Sequence, residues 1–276
     1  MYLRSVMIGL LFCLSGCMVN QGIVDKGEYQ LDRRYPAQAA YPRVKIVVIH
    51  YTAENFDRSL SVLRGNEVSA HYLLPAVPPE RQGKPVIWQL VPEEKLAWHA
   101  GVSFWRGSTR LNDISVGIEL ENIGFTLHNG EQHFSPFAPA QIAALEKLLP
   151  DIIARYQIAP QNIVAHSDIA PQRKTDPGPL FPWKQLADRG IGAWPVAERV
   201  TFYLNGRDPY ASVDPANLLD LLSRYGYQTG EAQTSQQQQR VISAFQMHFR
   251  PQNYSGRADA ETEAIAEALL ERYGQG

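Results

Sequence analysis

Apolar residues fall into two regimes along the 276-residue chain. In the first two thirds they come as short continuous runs. Lys45-Ile46-Val47-Val48-Ile49-His50 is β-branched, of strand length and apolar at consecutive positions, which predicts a central strand covered on both faces and closed by His50. Ala70 to Leu74, Val86 to Leu90 and Ser115 to Leu120 predict further short strands, set apart by Pro, Gly or Asn clusters. Ile163-Val164-Ala165-His166 predicts another buried strand ending in histidine, followed by the turn-rich stretch Pro171 to Pro182. Between Ile142 and Tyr156 the apolar positions 142, 145, 149, 152 and 156 make a helical stripe, and Pro150 predicts either a kink or two abutting helices. Strands alternating with helices predict an α/β fold, a mixed central sheet covered by helices.

After about Ala193 the pattern turns to helical blocks. Asp214-Pro215 is a helix start, an acid at the N-cap and Pro at the first helical position, leading to Leu218, Leu219, Leu221 and Leu222. A second block runs from Gln236 to Phe249 and a third from Asp259 to Tyr273. Three short amphipathic helices predict a small separate C-terminal domain over residues 200–276, so a chain ending near Trp194 is expected to keep its active site intact.

Composition narrows the function classes. With 45% hydrophobic and 20% charged residues the chain can bury a full core, which excludes wholesale disorder. Lys+Arg 26 against Asp+Glu 28 gives a net charge of -2, which supplies no basic field for nucleic acid. The one long apolar run before the first strand, Val6 to Leu14, falls short of the roughly 20 residues needed to span a bilayer. It follows Arg4 and ends in Leu14-Ser15-Gly16-Cys17, the layout of a signal peptide with small residues before a cysteine. This resembles a bacterial lipobox, which implies cleavage before Cys17 and acylation of that residue. Met18 in place of aspartate then implies the outer membrane, with the protein facing the periplasm. Residues 1–16 are thus expected to be a signal peptide, 17–40 a tether and 41–193 the catalytic domain. Cys13 leaves with the signal and Cys17 carries lipid, so the mature chain has no thiol, and any metal site must be built from His, Asp or Glu.

The seven histidines are 50, 71, 99, 128, 133, 166 and 248, and two of them close predicted core strands, where a rigid sheet presents ligands to a cleft. Asp176 follows His166 by ten residues. Two imidazoles and one carboxylate would make an open, catalytic zinc site. From spacing alone, each of these residues reads equally as a hydrogen-bonded strand end or, in Asp176-Pro177-Gly178, as a turn. His128, His133 and His248 have no metal-like companions and are expected at the surface. No G-x-S-x-G elbow is present, which leaves a serine-hydrolase site without support.

Five segments together are specific: Ile49-His50-Tyr51-Thr52, Val68 to Leu74, Ala97-Trp98-His99-Ala100-Gly101, Ser115 to Asn122, and His166 to Gly178. In this order they resemble the zinc-dependent N-acetylmuramoyl-L-alanine amidases of the phage-lysozyme and peptidoglycan-recognition-protein type, over about residues 40 to 185. The resemblance implies one Zn2+ per chain on His50, His166 and Asp176, a catalytic acid at Glu119 and a basic residue at Lys174. Glu121 has the same strand parity as Glu119 and remains its alternative. Ala70 stands where some relatives carry a tyrosine that assists catalysis, which shifts proton transfer toward Glu119. Trp98 and His99 are expected in the cleft wall against glycan or peptide. His71 either points into the cleft or supports a ligand from behind. The tail, with Val241 to Pro251, resembles the three-helix peptidoglycan-binding domain. The implied partners are peptidoglycan and muropeptides, together with the outer membrane through the lipid anchor, and no protein partner can be inferred. Two rival readings share these features: a catalytically silent peptidoglycan-binding lipoprotein, and a zinc peptidase acting within the stem peptide.

Overall fold

A computed structural model describes residues 22–274, so the Cys17 lipobox and the signal peptide lie outside the described residues. The chain divides into two units, Met1–Tyr41 and Pro42–Gly276. In the first, where a featureless tether was expected, Ile23–Asp25 pairs antiparallel with Gln30–Asp32. No helix among the described residues is long and apolar enough to cross a membrane.

The second unit is built on a five-stranded sheet of β1 (Ile46–Tyr51), β2 (Tyr72–Leu74), β3 (Trp88–Gln89), β4 (Ser115–Leu120) and β5 (Ile163–Ala165). Its spatial order is β5-β1-β4-β2-β3. All neighbours are parallel except β3, which runs antiparallel to β2, so the sheet is mixed as expected.

Strand β1 is central, and its continuous apolar run is divided by the period-two alternation of side chains. Val47 and Ile49 join Val116, Ile118 and Leu120 of β4 in one core, covered by Ile142, Leu145, Leu149 and Ile152 of helix α2 (Pro139–Tyr156). That helix runs unbroken through Pro150, which resolves the two alternatives in favour of one element. On the other face Ile46 and Val48 join Val164, Leu218, Leu222, Phe245 and Phe249 in a second core. His50 continues this second face, opposite Glu119 in the register with β4.

The C-terminal region departs from expectation in two ways. It holds four helices: α5 (Ala197–Leu204), α6 (Pro215–Tyr225), α7 (Ser235–Phe249) and α8 (Ala260–Tyr273), numbered after α1 (Phe56–Leu63), α2, α3 (His166–Ile169) and α4 (Trp183–Ala187). It also does not stand apart, because α6, α7 and α8 bury their apolar faces in the same core as Ile46, Val48 and Val164. Charge and hydrogen bonding reinforce that junction. The fully buried Asp168 carboxylate accepts from the Tyr227 hydroxyl at 2.6 Å, from Nδ1 of His248 at 2.7 Å and from the Ala165 amide at 2.7 Å. His248, expected at the surface, is stacked between Trp183 and Phe249 at 3.8 and 3.9 Å between ring centres.

Candidate active site

Three loops and strand ends meet at the carboxyl end of β1, the position where parallel sheets leave a crevice. β1 delivers His50, the turn after β5 delivers His166 at the start of α3, and the chain returns through Lys174 to Asp176. The return is pinned by the Ser167 amide donating to the Asp176 carbonyl at 2.9 Å, and by the Arg173 and Lys174 amides donating to the Ala170 carbonyl.

Nδ1 of His50 lies 2.9 Å from Nδ1 of His166, and the two nitrogens lie 3.2 and 3.0 Å from Oδ2 of Asp176. Among the described residues these three form the one group of His, Cys, Asp and Glu arranged to hold a metal ion. The donor set fits zinc: metal–ligand bonds of about 2.0–2.1 Å at tetrahedral angles put neighbouring ligand atoms roughly 3.3 Å apart. The outer nitrogens are engaged elsewhere. Nε2 of His166 faces the Ala100 carbonyl at 3.2 Å, and Nε2 of His50 faces Nδ1 of His99 at 3.0 Å.

Electrostatics within this group favour the metal-binding protonation states. Burial and the neighbouring His166 push His50 down to about 4. Burial alone would raise Asp176, but His166 and His50 outweigh it and hold the carboxyl well below the usual range. The result is a neutral His50 imidazole beside a carboxylate, forms that ligate a cation.

Glu119 and Lys174 line the same cleft, which has a volume of about 260 Å³. Burial, with Asp176 adding to it, pushes the Glu119 carboxyl up to about 8, and Lys174 offsets part of the rise. Oε2 of Glu119 is buried without a hydrogen-bond partner among the described residues, so one carboxyl oxygen is free for a molecule in the cleft. Glu121, its alternative by parity, lies past the end of β4, and its two oxygens accept from the Phe56 and Ala76 amides at 2.9 and 2.7 Å. It is a loop anchor and does not line the cleft.

The remaining candidates separate. Trp98 is 62% exposed and lines the cleft together with Val62 and Val68, an apolar rim beside the polar floor. His99, next to it, is buried and still contributes to the cleft lining. His71 is fully buried and lies outside the cleft lining. Its Nδ1 accepts from the Gly117 amide at 3.0 Å and its Nε2 donates to the Lys95 carbonyl at 3.1 Å, so it braces β4 against a loop and is not available to substrate. Ala70 is fully buried and brings no polar group to the site. Ser115, Gly117 and the Ala100 carbonyl were not among the expected site residues. They carry no signal of their own in sequence, because their part depends on the folded position of His99.

Residues 40–179 match the family model described as N-acetylmuramoyl-L-alanine amidase. The chain is 66% identical over 262 residues to the N-acetylmuramoyl-L-alanine amidase AmiD of Escherichia coli K12, covering 95% of each chain. Its fold matches the solved structure of E. coli AmiD in complex with the substrate anhydro-N-acetylmuramic acid-L-Ala-D-gamma-Glu-L-Lys at a TM-score of 0.90, over 92% of this chain and 99% of that one. It also matches AmpDh3 from Pseudomonas aeruginosa in complex with an anhydromuramic pentapeptide, at 39% identity and a TM-score of 0.80, over 91% of this chain and 99% of that one.

Proposed function

The chain belongs to the N-acetylmuramoyl-L-alanine amidase family, and from that premise we propose that it uses one zinc ion to free stem peptides from muramic acid at the outer membrane. The observation that carries the zinc reading is the convergence of His50, His166 and Asp176 through Nδ1, Nδ1 and Oδ2 on the floor of a cleft that also holds Glu119. Bound there, zinc would polarise the lactyl carbonyl and make the attacking water more acidic.

The protein's own groups account for the rest of the chemistry. Glu119 presents a buried, unpartnered carboxyl oxygen, suited to take a proton from the attacking water and return it to the departing alanine nitrogen. Such a shuttle needs a group that holds and releases its proton near neutrality, and burial tunes this carboxyl upward. Lys174 brings positive charge to the cleft, where negative charge develops on the carbonyl oxygen during attack. The exposed indole of Trp98, with Val62 and Val68, offers an apolar wall for the sugar ring or the first peptide residues. Structures of two similar proteins hold anhydro-muramyl peptides, which supports anhydro-muramyl ends among the substrates. Acylation at Cys17, supported by the Leu14 to Cys17 pattern, would hold the enzyme on the outer membrane, where such fragments are within reach.

The test is digestion of purified muropeptides, with and without anhydro ends, by the full mature chain of known zinc content. Mass spectrometry should show intact stem peptides beginning at L-alanine, and activity should vanish with zinc removal and return on adding it back. Shortened stems still attached to sugar would identify a peptidase. Unchanged muropeptides that nevertheless bind would identify a silent receptor.

A further inference from the structure

Both inner nitrogens can turn a lone pair toward a cation only if each ring keeps its proton on the outer nitrogen. For His166 an acceptor is in place, since its Nε2 faces the Ala100 carbonyl at 3.2 Å, while the Arg173 guanidinium, 3.3 Å from the same nitrogen, donates to that carbonyl. Among the described residues no carbonyl pairs with the outer nitrogen of His50. Its Nε2 faces Nδ1 of another histidine, His99, at 3.0 Å, and an imidazole nitrogen can either donate or accept. We propose that His99 is a positioning residue that sets the tautomer of His50 through a directed chain ending at Ser115 and the Leu111 carbonyl. This rests on the zinc reading above and extends it to residues behind the ligands.

The direction of the chain follows from its far end. The Ser115 hydroxyl lies 2.6 Å from the Leu111 carbonyl oxygen, and a carbonyl can only accept, so the single hydroxyl proton is spent there. The same oxygen is 3.1 Å from Nε2 of His99 and must therefore accept from it. A His99 carrying its proton on Nε2 offers a lone pair at Nδ1. His50 then donates from Nε2, and its Nδ1 lone pair is turned toward His166 and Asp176. A doubly protonated His99 would break this direction, but the ring is buried beside His50 and His71, and among the described residues its ring hydrogen-bonds to His50 and Ser115.

The sheet is shaped for this ring. Gly117 sits between Ser115 and Glu119 on the same face of β4, and a Cβ placed there would come within 2.4 to 2.6 Å of three ring atoms of His99. Asn112 fixes the loop from the other side, its Oδ1 accepting from the amides of His99 and Ala100 at 3.1 and 2.8 Å. One side chain thereby anchors both the ring behind His50 and the carbonyl behind His166.

The experiment compares zinc affinity, by competition with a chromophoric chelator, in the wild-type chain, His99→Leu and His99→Asn. Loss of a group behind a metal ligand typically lowers affinity about 10- to 100-fold, and that is the expected loss for His99→Leu. Asn places its Oδ1 where Nδ1 lay and can still accept from His50, so His99→Asn should keep most of the affinity, although both variants lose the same packing. Equal loss in the two variants, or none in His99→Leu, would overturn the proposal. Independently of any variant, nitrogen-15 NMR of the zinc-loaded wild-type protein should show His99 protonated on Nε2 and bare on Nδ1, and a proton on Nδ1 would overturn it. A wild-type chain that takes up no zinc brings down the metal reading itself, a result distinct from both.

Discussion

At pH 7 the Glu119 carboxyl of the metal-free protein holds its proton, because burial and the nearby Asp176 push it up to about 8. A divalent cation on His50, His166 and Asp176 favours the carboxylate, so zinc uptake at that pH should expel the proton. His50, pushed down to about 4, is already neutral there and contributes none. Glu119→Gln should therefore release about one proton fewer per zinc bound than wild type. Calorimetry at fixed pH in two buffers of different ionisation heat reads that number, and identical release would mean the carboxylate is already ionised in the metal-free chain. The same variant should still bind zinc while kcat falls by about 10²- to 10⁴-fold. Glu121→Gln, which disturbs only two backbone amides, should turn over normally. How readable such residues are in sequence depends on where their partners lie. His50 and His166 stand at the ends of β-branched runs, so their placement at the mouth of the sheet is local information. His99 takes its meaning from Ser115 and Gly117 on a separate strand, and no spacing rule connects them. His248 was misplaced for a related reason: α7 is buried along its whole last turn and a half, from Ala244 to Phe249, so the expectation of one polar face fails there.

β4 shows how much one strand can be asked to do. Its even residues Val116, Ile118 and Leu120 build the core under α2, while Ser115, Gly117 and Glu119 on the opposite face serve His99 and the cleft. Gly117 is not in the left-handed region, so Gly117→Ala meets no backbone penalty and its effect is purely steric. The added methyl must displace a ring held from both sides by His50 and Ser115. We expect a loss of about 1–3 kcal/mol in stability from overpacking, together with weaker zinc binding. Chemical denaturation and chelator competition check the two, and a variant indistinguishable from wild type in both would mean the ring has room to move. All five strands of the sheet fall within runs read from sequence, β1 and β5 in continuous apolar runs and β2, β3 and β4 inside Ala70 to Leu74, Val86 to Leu90 and Ser115 to Leu120. Helix α1 and the hairpin of Phe125–His128 with Glu131–Phe134 escaped notice for physical reasons. The helix has eight residues and only two buried ones, and the hairpin is almost wholly exposed, so neither leaves a periodic apolar trace long enough to detect.

For the molecule as a whole, two expectations concern what lies beyond the cleft. Cys17→Ser should block acylation and leave the chain in the soluble periplasmic fraction, and a variant that still sediments with outer membrane would mean something other than lipid holds it there. The second concerns the C-terminal helices, whose amphipathic stripes were legible while their destination was not. A stripe shows that a face is buried and does not show against what. Here the partner is the sheet: Leu218, Leu222, Phe245 and Phe249 share a core with Ile46, Val48 and Val164, and Tyr227 and His248 hydrogen-bond Asp168 two residues past His166. Ending the chain at Trp194 would expose the apolar face of β1 and β5 and strand the Asp168 carboxylate. Each large side chain withdrawn from a core is worth about 1.5–3 kcal/mol, and domains are stable by only about 5–15 kcal/mol in total. Losing four such residues, about 6–12 kcal/mol, is therefore comparable with the whole stability of a domain. The truncated chain should be insoluble or lack dispersed NMR signals and should bind zinc weakly, the opposite of the intact site that the sequence pattern leads one to expect. A well-folded fragment of residues 42–194 with full zinc affinity would show instead that the helices only cover the sheet without holding it together.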